Sequence, residues 1–190
     1  MLFDNCHMLV DIETLGLGPQ AHIIALGYVV FKVYDNGSLF VEHQAEFAID
    51  DTDKQNSTID VSTVRWWMAP EQAPARDVLL HLVQKSSLSN AFRQMRRAWN
   101  DHSCRHVWAR GPQFDMTIIN HHISREWEFD SYIWRDTRSV IDVCLSKEEQ
   151  REVRESSVFT KHTPIGDCMT ELLLFERATK KLWLSPASSH

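Results

Sequence analysis

Hydrophobic positions along the chain follow two periods, and each period predicts a different kind of element. HMLV (7–10) is a short apolar run leading into Asp11, and the turn-rich TLGLGPQ follows at 14–20. IIALGYVVFKV (23–33) is apolar and β-branched, which reads as a buried strand. Asp35-Asn36-Gly37 signals a hairpin, and LFVEHQAEFAI (39–49) reads as its antiparallel partner. Helical spacing then takes over. DVSTVRWWM (60–68) predicts a helix with Asp60 as N-cap and Val61, Val64 and Met68 on its inner face. ARDVLLHLVQK (75–85) and SNAFRQMRRAW (89–99) predict two more, the second burying Phe92, Met95 and Trp99. HVWA (106–109) reads as a short strand, broken by Gly111-Pro112 before a helix over 115–123 that turns Ile118, Ile119 and Ile123 inward. SYIWRD (131–136) predicts a strand, 138–145 a short helix, and KEEQREVRESS (147–157) an exposed helix or loop. The last helix spans about 164–183, with Pro164 in its first turn and Thr163 as N-cap.

A meander of strands followed by strands alternating with helices predicts an α/β fold, a mixed sheet flanked by helices. The polar stretch 50–60 reads as a loop within it, so 1–184 forms one domain and SPASSH (185–190) a flexible tail. A chain of 190 residues buries such a core without disulfides. Its 43% hydrophobic and 24% charged residues exclude a disordered chain. No apolar run approaches the roughly 20 residues that cross a bilayer. Asp4, Asn5 and His7 interrupt the N-terminus, so neither a signal peptide nor a membrane partner is expected. The four cysteines are scattered without a CxxC, which reads as reduced thiols and a cytoplasmic location. A net charge of −6 disfavours a non-specific nucleic-acid binder. It leaves open an enzyme that clusters carboxylates around metal ions.

Asp11 and Glu13, two apart on a strand, point to the same face. Side by side they repel each other unless a cation sits between them, and Mg²⁺ takes oxygen ligands of this kind. The alternative is two solvated acids at a strand end. The TLGLG turn that follows lets backbone approach a ligand closely. Asp115 and Asp167 each fall in the first turn of a helix, where an acid is also favoured simply as a cap. His162 lies five residues before Asp167. Trp66 and Trp67 point about 100° apart on their helix. Trp67 reads as core, and Trp66 either as a stacking platform for a base or as a second half-buried ring. Arg93, Arg96 and Arg97 share a face that either tracks a phosphate backbone or pairs with nearby acids. His121 and His122 lack the i, i+4 spacing of a zinc pair and read as structural.

Taken together, VDIETLGLG (10–18), STVRWWMAPEQAPAR (62–76), VWARGPQFD (107–115), IWRDTR (133–138) and HTPIGD (162–167) resemble the DEDDh 3′–5′ exonuclease superfamily. The branch they resemble is that of phage exonuclease A and the RNase T-like exoribonucleases, and the resemblance covers most of the chain. It implies a ribonuclease H-like fold with a mixed five-stranded sheet. It implies Asp11, Glu13, Asp115 and Asp167 as ligands of two metal ions, Mg²⁺ with Mn²⁺ as the substitute. His162 becomes the general base, since histidine offers neutral imidazole at physiological pH. The implied reaction releases nucleoside monophosphates from the 3′ ends of single-stranded DNA or RNA, with DNA slightly favoured. Thr14 and Leu15 would meet the terminal base and sugar, with Leu15 as a wedge or as ordinary packing. Trp66, Arg110 and Arg138 would contact substrate, and a homodimer is the implied assembly. One departure is Pro164, where many members carry a small residue. Two rival readings are a catalytically weak nucleic-acid-binding protein of the same fold and an RNase H-type endonuclease. The close Asp11/Glu13 spacing disfavours the second.

Overall fold

A computed structural model of the chain describes residues 6–50, 56–82, 84–123, 125 and 128–184. The tail at 185–190, Asp4 and Asn5, and part of the loop at 50–60 lie outside the described residues. Six strands form one sheet: β1 (His7–Thr14), β2 (Ile23–Val33), β3 (Leu39–Asp50), β4 (Lys85–Ser87), β5 (Val107–Ala109) and β6 (Trp134–Asp136). Their order is β4-β3-β2-β1-β5-β6, and only β2 runs against its neighbours. The meander follows from local chemistry. Gly37 takes φ +79 at the β2–β3 turn, where Asn36 Oδ1 accepts the Ser38 amide.

The expected five strands are six. Lys85–Ser87, of which helical spacing assigns Lys85 to the end of a helix over 75–85, pairs in parallel with Ala48–Asp50. The helix there, α2 (Ala73–His81), stops four residues earlier. The unpaired edge of β3 takes up the backbone groups of the segment that follows. At the other edge, Ser131–Ile133 form a single 3₁₀ turn and only Trp134–Asp136 are strand.

Strand alternation divides the core. Met8, Val10 and Ile12 of β1 point with Leu26, Tyr28 and Val30 of β2 toward α3 (Leu88–Asp101) and α4 (Pro112–His122). Leu9, Val29, Phe31 and Trp108 point to the opposite face, onto Cys168, Leu172 and Phe175 of α7 (Pro164–Leu184). α5 (Thr137–Cys144) and α6 (Lys147–Ser156) pack on the outer side of α7 through Ile141 and Val153, with Leu145 between the two helices and Leu174 on α7. The charged segment at 147–157 is thus a helix, closed by a capping box between Ser146 and Glu149.

α1 (Val61–Met68) corrects one expectation. Val61 is 66% and Met68 68% exposed, and the buried residue is Trp67. α1 lies at the end of the sheet rather than on a face. It is anchored there by one indole, whose Nε1 donates to the Thr14 carbonyl at 2.9 Å. Asp60 occupies the N-cap position, but its carboxylate accepts the Leu17 amide instead of capping the helix.

Candidate active site

The pleat that sends Leu9 onto α7 sends Asp11 and Glu13 to the same side. In register with Asp11 on β2 is Gly27. A Cβ there would sit 2.6 Å from that of Pro164, so the glycine is what lets the first turn of α7 rest on the sheet. Glu46, opposite Gly27 on β3, accepts the Ile165 amide at 3.0 Å. Thr163 caps the helix by accepting the Gly166 amide, as expected, and Pro164 occupies its first position. Asp167 is thereby held above β1. The His162 amide donates to Asp167 Oδ2 at 3.0 Å. His162 itself takes φ +59, a left-handed conformation that non-glycine residues seldom adopt. This turn brings ligand atoms of Glu13, His162 and Asp167 within 4.8 Å of one another.

Asp115 arrives from the other side. β5 ends at Ala109, and Gly111 turns the chain with φ +87 into α4. Asp115, 5% exposed, accepts the Ile12 amide beyond the point where the β1–β5 ladder stops. The result is a cleft of about 390 Å³ lined by Asp11, Glu13, Asp115, His162 and Asp167, with Arg110, Phe114, Arg154, Lys161 and Glu171 around them.

The electrostatics of the cleft call for a cation. Desolvation, reinforced by Asp115, Glu13 and Asp167, pushes the Asp11 carboxyl well above its ordinary range. Desolvation and Asp167 do the same to Glu13. Burial raises Asp115 to about 7 against the pull of its amide donors and Arg138. It also raises Asp167, with His162 opposing. Asp11 Oδ2 is buried and accepts no hydrogen bond among the described residues. Native proteins rarely bury an acceptor without a partner. Hard oxygen donors converging on such an orphaned atom fit a divalent cation such as Mg²⁺.

Not every residue singled out in the sequence joins this lining. Thr14 is buried beside it, its hydroxyl donating to the Gly16 carbonyl. Leu15 bonds through its backbone to His22 and Asp60. Neither lines the cleft. Trp66, 41% exposed, sets its ring edge-on to that of His162, with centroids 4.9 Å apart. Arg110 lines the cleft, whereas Arg138 pairs with Asp136 at 3.6 Å behind Gly111 and acts on Asp115 through its charge. Arg96 lies over the Phe129 ring and Arg97 pairs with Asp101, both away from the cleft. His122 bonds to the Ala21 carbonyl, a structural contact. Sequence reasoning missed Glu46, Arg154, Lys161 and Glu171. Glu171 was within reach, since it lies one helical turn beyond Asp167 on the same face. Arg154 and Lys161 belong to no motif.

Over residues 6–177 the sequence matches the family described as the 3′–5′ exoribonuclease Rv2179c-like domain. No curated protein matches it. Among solved structures, the RNase domain of the yeast Pop2 protein aligns with a TM-score of 0.48 and 9% identity, covering 93% of this chain and 76% of that one. That likeness is too distant to bear on chemistry. The family match, by contrast, runs through every segment that contributes an acid to the cleft. The chain therefore belongs to the Rv2179c-like 3′–5′ exoribonuclease domain family and is a 3′–5′ exonuclease, a hydrolase of phosphodiester bonds.

Proposed function

We propose that this chain trims single-stranded RNA from its 3′ end and releases nucleoside monophosphates, using two divalent cations and His162 as general base. RNA replaces the slight preference for DNA read from the sequence, because the matched family is described as an exoribonuclease. The observation that carries the reading is the orphaned, buried Asp11 Oδ2 in a cleft where three further carboxylates converge. Asp11, Glu13, Asp115 and Asp167 would hold Mg²⁺, which when bound supplies Lewis-acid stabilisation of the phosphate and a more acidic water.

The remaining roles belong to the protein. The four carboxylates offset about four units of metal charge, so the metal-binding cluster itself is close to neutral when the phosphate arrives. The imidazole of His162 accepts the proton of the attacking water. The imidazolium that results stands beside Glu13 and Asp167, which stabilise it. The His162–Asp167 backbone bond and the Trp66 edge contact limit where that ring can go. A fixed ring keeps base and water in reacting geometry.

A time course with 5′-labelled single-stranded RNA and DNA of equal sequence, with and without Mg²⁺, tests this reading. The expected result is a ladder shortening from the 3′ end, dependent on Mg²⁺ and faster on RNA. Cleavage of a circular RNA, or binding without release of mononucleotides, overturns it. His162→Ala is expected to lower turnover by roughly 10²-fold or more while Mg²⁺ still binds by calorimetry. Unchanged turnover removes His162 from the mechanism.

A further inference from the structure

Beside the metal-binding acids, the cleft holds a second charged group that the chemistry above does not use. Glu171 is 4% exposed. Its Oε1 accepts the Thr137 hydroxyl at 2.6 Å, and its Oε2 faces Arg110 at 3.7 Å and Arg154 at 3.8 Å. The three charged residues come from the end of β5, from α6 and from α7, so the fold assembles them and no local motif does. Both guanidiniums also act on Asp167 through their charge.

Charge decides what this arrangement is for. The cleft lining carries five carboxylates and three permanent cations, Arg110, Arg154 and Lys161. Four carboxylates suffice for two divalent ions. Glu171 offsets one cation, and two positive charges are left over for an anion. We propose that Arg110 and Arg154, oriented by Glu171, grip the phosphodiester one linkage upstream of the bond that is cut. This inference rests on the nuclease reading. In a 3′ exonuclease the scissile phosphate would lie at the four metal-binding acids, so the next phosphate lies beyond it along the strand. Guanidinium forks suit a phosphate oxygen pair. Glu171 is a positioning residue. It keeps the two forks aimed into the cleft when no strand is bound, so less side-chain freedom is lost on binding.

The test changes the substrate before the protein. A short RNA carries a 2′-O-methyl methylphosphonate at the linkage one step upstream of the terminal bond. Its reference has the 2′-O-methyl phosphodiester at the same place. With the unmodified protein and Mg²⁺, the neutral linkage is expected to raise KM for release of the first nucleotide roughly tenfold or more, with kcat little changed. Arg154→Ala raises KM on the charged RNA and narrows the difference between the two substrates, Arg110 alone keeping the remainder, whereas Arg154→Lys recovers part of what is lost. Glu171→Gln raises KM on the charged RNA but not on the neutral one, which general damage to the fold would not do. Equal KM for the two RNAs with the unmodified protein overturns the proposal. So does an Arg154→Ala variant that keeps the full difference. Failure of the unmodified protein to release any nucleotide overturns the nuclease reading itself, and this inference with it.

Discussion

Asp11 holds one buried carboxylate oxygen that no donor among the described residues reaches. In the metal-free protein that is a cost, because desolvation and four acidic neighbours all oppose its charge. Asp11→Asn removes the charge and keeps the shape. It is expected to abolish mononucleotide release, as is Asp11→Ala. The same Asp11→Asn change is expected to raise the Tm of the metal-free protein at pH 8 by roughly 2–4 °C, the shift that about 1 kcal/mol gives in a chain of this size. Thermal melts in chelator check it. An active Asp11→Asn protein would end the metal-site assignment, and an unchanged or lower Tm would show that repulsion at Asp11 is already relieved. At this scale the sequence was informative where spacing carries the chemistry. Asp11-x-Glu13 and His162-x₄-Asp167 are readable from one chain. Arg154 was not, because an arginine on a charged helix looks the same whether it faces water or a cleft.

Among the elements, α7 positions the most chemistry, and its seat is a single missing side chain. Gly27→Ala would put a methyl group against Pro164 and the Ile165 backbone. Neither neighbour is the free end of a flexible side chain, so the first turn of α7 must lift. The expected cost is about 1–3 kcal/mol of stability, measured by urea unfolding. A fall in kcat is expected as well, since Asp167 and His162 move with that turn. Loss of stability with full activity would show that the turn does not set the site. Elements with strong periodicity were legible: β2 and β3, and the stripe Phe92–Met95 on α3, stand where the sequence puts them. β4 was not, because three polar residues carry no alternation, and only the open edge of β3 makes them a strand. The inner face of α1 was misread for a related reason. Apolar spacing says which residues share a side, while the end of the sheet decided that only Trp67 goes in.

Across the whole molecule, the acid cluster links stability to pH. For a carboxyl whose pKa is raised by folding, the folded state binds more protons than the unfolded one. Stability then falls as pH rises toward the folded pKa. Asp115 lies at about 7, and Asp11 and Glu13 are raised well above their ordinary range. Buried His7, lowered to about 4 chiefly by desolvation, works in the opposite sense, but only below roughly pH 6.5. The metal-free protein is therefore expected to lose Tm between pH 6.5 and 8. Mg²⁺ at about 100 times its Kd should add about 2.7 kcal/mol at pH 8. Scanning fluorimetry across pH, with chelator and with Mg²⁺, checks both signs. A metal-free Tm that rises over that interval would mean the acids are not coupled as described.

The order of the strongly periodic strands and helices, and the two acids of β1, were settled by the sequence itself, because period and spacing act between residues close along the chain. The convergence of Asp115 and Asp167 on those acids, the sixth strand, and the Arg110–Glu171–Arg154 group were decided only by tertiary packing. Residues from distant segments meet there because Gly27 admits a helix end and Gly111 turns another toward the same strand. The energy of such a meeting, in desolvation and repulsion between charges, belongs to no segment taken alone.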